Sequence, residues 1–143
     1  MVLALTLVVD SNILFAAMIK GGANAKLLLS DRLSLIAPER LFEEFKKYEE
    51  ILLKKTHRSK EEFEKFLEIL QEKIEVIPKD EFEPWLEEAK EKSPINDFPF
   101  TALAKACNCA VWSNDKEVKE FMLRTGFVEV LSTKEVLERL ELR

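Results

Sequence analysis

The chain has 143 residues, 47% of them hydrophobic, so it can bury the core of one compact domain, and this excludes a wholly disordered protein. Its 27 acidic and 22 basic residues give a net charge of −5, which disfavours wrapping of nucleic acid by bulk electrostatics but permits local basic patches. One histidine and two cysteines are too few for a structural zinc site with four ligands.

Short apolar runs alternate along the chain with segments of helical periodicity. The first run, residues 3–9, is too short to span a membrane and predicts a strand buried on both faces. Ser11 or Asn12 is a candidate cap for the helix that follows, and Ser59 with Glu62 forms a capping-box pattern. In chain order, the predicted strands are residues 3–9, 33–37, 74–77, 110–113 and 128–131. The predicted helices are residues 13–19, 23–29, 38–55, a helix after Ser59, 81–90, 97–107, 116–123 and a helix beginning at Thr133.

Strands that alternate with helices indicate right-handed crossovers and a parallel sheet covered by helices on both faces. We therefore predict a single α/β domain over residues 1–143, with a helical hairpin at about residues 38–73. No signal peptide, linker or repeat is apparent, so we expect a cytoplasmic protein without a membrane anchor. Cys107 and Cys109 are expected to be buried, reduced thiols.

Four acidic residues are predicted to meet at one edge of this sheet. Asp10 closes the first strand, Asp115 follows the fourth, and Asp97 begins the helix that precedes the fourth strand. Glu44 lies in the second turn of the helix after the second strand, and Glu43 is its rival for that position. Each acid alone also fits a helix cap, a turn or a solvated helix charge. Because ligands bind at the carboxyl ends of parallel strands, their convergence predicts one site.

Such a cluster predicts bound cations. Two carboxylates about 5 Å apart repel each other by roughly 3 kcal/mol at an effective dielectric constant near 20. Four in one crevice therefore either have raised pKa values or bind cations. Oxygen ligands without histidine favour Mg²⁺ or Mn²⁺. A metal there suits phosphodiester hydrolysis, because it activates a water for in-line attack and stabilises the leaving oxygen.

Four stretches of the chain, in order, resemble the motifs of PIN-domain nucleases. They are VVDSN at residues 8–12, the stretch from AP at 37–38 to EEF at 43–45, NDFPFTALA at 96–104, and WSNDK at 112–116. In the second motif the spacing from proline to acid is loose, and the third carries Asn96 where many members have another acid. The set covers nearly the whole chain.

The resemblance implies a PIN-like fold of three α/β/α layers with a twisted, mainly parallel sheet of about five strands. It also implies Mg²⁺- or Mn²⁺-dependent cleavage of RNA. Many members are toxins of toxin–antitoxin pairs and form homodimers, and others process structural RNA, so a small antitoxin-like protein and a second copy are candidate partners. By resemblance the catalytic and metal-binding residues are Asp10, Glu44, Asp97 and Asp115, supported by Asn12 and Ser113.

The tip of the predicted hairpin is basic. Residues 54–60 have no acid and contain Lys54, Lys55, Arg58 and Lys60. Two interpretations stay open, a contact with the RNA backbone and a solvated turn. Phe98 and Phe100 are likewise either base-stacking side chains or part of the core.

Two other functions compete with the nuclease. A phosphatase with an aspartyl nucleophile would need an acid two residues after Asp10, where Asn12 stands instead. A receiver-like or degenerate PIN-like module would bind RNA or protein without cutting, although intact acids argue against degeneracy.

Overall fold

Five parallel strands form the sheet at the centre of the computed structural model, which describes residues 4–141. The spatial order is β3-β2-β1-β4-β5, with register pairs such as Val8 with Ile36 and Val8 with Val111. The predicted α/β class, with a parallel sheet of about five strands, is confirmed. The strands are β1 Leu5–Val9, β2 Leu33–Pro38, β3 Ile74–Ile77, β4 Ala110–Trp112 and β5 Val130–Leu131.

Helices connect these strands and follow the apolar periodicity of the sequence. The Ser59 hydroxyl accepts from the Glu62 N–H and the Glu62 carboxylate accepts from the Ser59 N–H, so the predicted capping box is confirmed. The helices are α1 Ser11–Lys20, α2 Gly22–Leu28, α3 Arg40–Lys47, α4 Glu49–Thr56, α5 Lys60–Lys73, α6 Leu86–Lys92, α7 Phe98–Cys107, α8 Lys116–Thr125 and α9 Thr133–Glu141.

The strand order places helices on both faces of the sheet. From β1 the chain moves outward to β2 and β3, then returns to the other side of β1 through β4 and β5. Because crossovers are right-handed, α1 to α5 cover one face and α6 to α8 cover the other. Helix α7 packs across β1, β2 and β4. Leu7, Val8 and Val9 of the central strand are fully buried, as is Trp112 of β4.

Several predicted boundaries were wrong. Pro38 ends β2 instead of opening a helix, and the predicted helix 38–55 breaks at Tyr48 into α3 and α4. The break lets Tyr48 pack edge-on against Phe15, with ring centroids 5.6 Å apart. The predicted helix 81–90 begins instead as two 3₁₀ turns, Lys79–Glu81 and Glu83–Trp85, and the α-helix starts only at Leu86.

Two smaller predictions also need correction. The N-cap of α1 is Asp10, not Ser11 or Asn12, and its side chain makes no capping hydrogen bond. Cys107 is exposed and Cys109 only half-buried. Residue 3 of the first predicted strand lies outside the described residues. No helix within residues 4–141 is both long and apolar enough to cross a membrane.

Candidate functional site

The site lies where the sheet reverses its winding. Strands β1 and β4 are neighbours, but the chain leaves them toward opposite edges of the sheet. Such a switch point opens a crevice at the carboxyl ends of the strands. Asp10 directly follows β1, and its N–H donates to the Trp112 carbonyl of β4 at 3.1 Å. The carboxyl group of Asp10 therefore stands at the head of the crevice.

Ser113 couples the first and last acids of the site. Its hydroxyl donates to Oδ2 of Asp10 at 2.7 Å and accepts from the Asp115 N–H at 3.1 Å. Asp10 and Ser113 are only 4% and 1% exposed. One buried hydroxyl thus fixes the Asp10 carboxylate and the loop that carries Asp115.

Glu44, not Glu43, faces the site. The Ser11 hydroxyl donates to Oε2 of Glu44 at 2.8 Å, and Arg40 Nε donates to Oε1 at 2.7 Å. The same Ser11 hydroxyl lies 3.4 Å from Oδ1 of Asp10, so it bridges the two acids. Glu43 is exposed and lines a different pocket. From the sequence, Ser11 was considered only as a helix cap and part of the first motif, and Arg40 was not singled out, because their roles at the site depend on contacts across the fold.

The structure brings all four predicted acids to one pocket of about 260 Å³. Asp97 is the N-cap residue of α7. Asp115 caps α8, because its side chain accepts a hydrogen bond from the Glu117 N–H at 2.9 Å. Glu117 adds a fifth carboxylate that the sequence analysis missed, although its place in the first turn of the helix after Asp115 was a usable signal. The lining residues are Asp10, Ser11, Asn12, Glu44, Pro94, Ile95, Asn96, Asp97, Phe100, Asp115 and Glu117.

Burial and mutual repulsion dominate the electrostatics of this pocket. Burial raises the pKa of Asp10, the Ser113 hydrogen bond opposes that rise, and the charges of Asp115 and Glu44 add to it. The pKa of Asp97 rises to about 7, first through burial and then through the charges of the surrounding acids. The site thus stabilises protons, and for the same reason any other cation that reaches these oxygens.

A hydrogen-bonded network holds the loop that presents Asp115. The Thr133 hydroxyl accepts from Trp112 Nε1 at 3.1 Å and from Asn114 Nδ2 at 2.9 Å, and donates to Asn24 Oδ1 at 2.5 Å. The Thr133 N–H also donates to Asn114 Oδ1 at 2.8 Å. These hydrogen bonds anchor the turn between β4 and α8 to α2 and α9.

The carboxylates of the pocket are chemically suited to a hard divalent cation, but they lie too far apart to share one in the present side-chain conformations. All of the converging acidic ligands are carboxylates, the donors that Mg²⁺ and Mn²⁺ prefer. Within residues 4–141, however, no three His, Cys, Asp or Glu side chains are grouped closely enough to hold an ion as they stand. Arg40 and Ser11 hold both oxygens of Glu44 at one side. Metal binding here therefore requires side-chain rotation that draws the carboxylates together.

The other residues predicted to act at the site take different positions. Asn12 lines the pocket with an exposed side chain. Phe100 is 2% exposed and belongs to the core, and Phe98 is half-buried. None of the basic residues of the hairpin tip lines the acidic pocket; these residues are Lys54, Lys55, Arg58 and Lys60.

A larger pocket, of about 590 Å³, lies at the opposite end of the strands. Lys105, Cys107 and Cys109 line it. Burial raises the pKa of Cys109 to about 11, and burial also raises the pKa of Cys107. The raised pKa values favour the protonated thiols, which are poorer nucleophiles than thiolates.

Comparison with known proteins agrees with this fold. The family model described as the PIN domain matches residues 8–141. Among solved structures, the crystal structure of VapBC2 from Rickettsia felis bound to a DNA fragment from their promoter is similar, with a TM-score of 0.62 and 16% sequence identity. The match covers 90% of this chain and 98% of that one, and at this identity it shows the fold alone. A comparison with curated proteins gave no match.

Proposed function

The chain belongs to the family of PIN-domain nucleases, and on that premise we propose that it is a cytoplasmic, metal-dependent endoribonuclease. One observation carries the proposal. Asp10, Glu44, Asp97 and Asp115 line a single pocket at the switch point of the sheet, and their repulsion helps to raise the pKa of Asp97 to about 7. A cation that binds these oxygens removes the repulsion.

In this proposal the same four carboxylates hold Mg²⁺ or Mn²⁺. When bound, the metal supplies an activated water and positive charge for the scissile phosphate. Ser113 holds the Asp10 carboxylate and the Asp115 loop in fixed relative positions through its two hydrogen bonds. Arg40 orients Glu44 and offers its remaining N–H groups to a phosphate beside the acids.

Cleavage of labelled single-stranded RNA by the purified protein tests the proposal. We expect cleavage in Mn²⁺ or Mg²⁺, none in excess EDTA, and recovery when the metal is restored. A protein that binds RNA but never cuts it under these conditions would instead be the non-catalytic PIN-like module. Cleavage that EDTA leaves unchanged would contradict the metal-dependent mechanism.

The basic hairpin tip remains a proposed contact with the RNA backbone. We expect the combined replacement of Lys54, Lys55, Arg58 and Lys60 by alanine to weaken RNA binding and to flatten its dependence on salt, because fewer counterions are released. Fluorescence anisotropy over a series of KCl concentrations measures the slope. An unchanged slope would assign these residues to a solvated turn.

An exposed apolar groove is the proposed binding surface for a protein partner. Phe15, Ile19, Tyr48 and Ile51 line a pocket of about 300 Å³ between α1 and α4, and Ile51 is 50% exposed. Exposed apolar patches of this kind are typical of protein-binding surfaces. We expect Ile51→Glu to separate a homodimer into monomers in light scattering. A monomeric wild-type protein would contradict the homodimer, and the small antitoxin-like protein would remain the candidate partner for the groove.

A further inference from the structure

A second pocket, of about 320 Å³, adjoins the acidic one. Two connections join them. Arg40 lines the second pocket while its Nε donates to Glu44 of the first. Phe98 and Pro99, which also line it, directly follow Asp97 in the chain. A ligand that extends beyond the acids on this side therefore enters the second pocket.

The charges of this pocket suit an anion, in contrast to those of its neighbour. Arg40, Lys79 and Lys90 line it, against the exposed carboxylates of Glu39 and Glu43. Within the described part of the chain, Arg40 makes one side-chain hydrogen bond, to Glu44, although a guanidinium carries five N–H donors.

Both lysines of the pocket are available to a ligand. Lys79 is exposed, and among residues 4–141 no carboxylate pairs with it. Lys90 pairs with Glu87 at 3.3 Å across exposed surface, a bond that a phosphate can displace at little cost.

The pocket also has an aromatic wall. The Phe98 ring is half-buried, with Lys90 Nζ 5.3 Å from its centroid, and the nearly buried Phe82 lies among the same lining residues. An aromatic face beside several cations is the combination that binds single-stranded nucleic acid, because the ring takes a base and the cations take phosphates.

We propose that this pocket binds the nucleotide next to the scissile phosphodiester of single-stranded RNA. Its phosphate contacts Arg40, Lys79 and Lys90, and its base or ribose packs on Phe98. The inference rests on the proposed function, because it takes the acidic pocket as the place where RNA is cut. The pocket is at the small end of ligand-binding cavities, so it admits an unstacked nucleotide and not a base pair within a duplex.

A pair of double variants tests the cationic half of the proposal. We expect Lys79→Ala/Lys90→Ala to raise the KM for a short single-stranded RNA about tenfold at low salt and to leave kcat nearly unchanged. The matched control, Lys65→Ala/Lys134→Ala, removes the same charge from exposed sites on α5 and α9 and should leave KM unchanged. An equal rise in KM for both pairs would show general electrostatics and overturn the proposal.

Binding gives a second readout that does not depend on cleavage. With Asp10→Asn as the background, so that the RNA stays intact, the Lys79→Ala/Lys90→Ala pair should reduce the salt slope of binding by about 0.7 for each phosphate that the lysines no longer neutralise. The control pair should not change that slope. A wild-type protein that fails to cut RNA would overturn the proposed function. If the wild type cuts RNA but the Lys79→Ala/Lys90→Ala pair leaves both KM and the salt slope of binding unchanged, only the pocket assignment is overturned.

The aromatic wall is tested by Phe98→Leu, which keeps an apolar side chain but loses the flat ring. We expect KM for RNA to rise several-fold. Phe121→Leu is the control, because Phe121 is also half-buried and has a cation above its ring, with Arg124 Cζ 4.9 Å from the centroid, but it lies on α8 outside both pockets. Equal KM values for the two variants would remove Phe98 from the site. If Phe98→Leu does not fold, the lysine pair decides the assignment.

Discussion

Asp10→Asn is expected to reduce Mn²⁺-dependent RNA cleavage by about 10²–10³-fold or more, the size of effect seen when one preorganised electrostatic group is removed from an active site. The variant keeps the shape of Asp10 and an oxygen that can accept from Ser113. It removes the charge at the most buried of the four acids. Rates of cleavage under single-turnover conditions give the ratio.

The fold of Asp10→Asn should be intact, because the change also removes a carboxylate whose pKa is raised by burial and by neighbouring charges. Its free energy of unfolding in EDTA at neutral pH should equal or exceed that of the wild type. Asp31→Asn is the matched control, since Asp31 is fully exposed and, within residues 4–141, pairs only with Lys73. Full activity of Asp10→Asn, or equal losses in both variants, would contradict the assignment of Asp10.

The stabilisation that protonated Asp97 contributes in EDTA should be lost as the pH rises from about 4 to 7, the interval between its unfolded and folded pKa values. A raised pKa means that the folded chain binds the proton more tightly than the unfolded chain, so the stabilisation is complete at low pH and is lost as Asp97 ionises. Because Asp97 is partly exposed, solvent screening limits the change to about 1–2 kcal/mol.

Denaturant unfolding at a series of pH values in EDTA measures this change. Asp97→Asn should flatten the curve, because its side chain does not titrate. Saturating Mn²⁺ should restore stability most at the higher pH, where the carboxylates are ionised and repel one another. A wild-type curve that runs parallel to the Asp97→Asn curve over this pH interval would contradict the raised pKa of Asp97.

The fold was largely predictable because its signals are local. The apolar run that includes Leu7, Val8 and Val9 is buried on both faces, as a central parallel strand must be. The Ser59 capping box also needs only its own segment. Pro38 misled the prediction, because a proline that opens a helix and one that ends a strand have the same local sequence pattern.

The site was predictable only in part, because its details depend on contacts across the chain. Asp10, Asp97 and Asp115 were located by their places at strand and helix ends, which the sheet topology brings together. The choice of Glu44 over Glu43 depends on the start of α3, which was misplaced by the interpretation of Pro38. Ser11 had no distinguishing local signal, since its bond to Glu44 joins residues 33 positions apart.

The central claim is that the four carboxylates bind a divalent cation, and calorimetric titration of Mn²⁺ into the wild-type protein tests it most directly. At about pH 6, one unit below its pKa, Asp97 is largely protonated, so metal binding must displace its proton. Titrations in two buffers with different ionisation enthalpies count that proton. We predict binding with release of about one proton, abolished or strongly weakened in Asp10→Asn. Absence of Mn²⁺ binding would contradict the claim. So would binding that releases no proton and has the same affinity in Asp10→Asn as in the wild type.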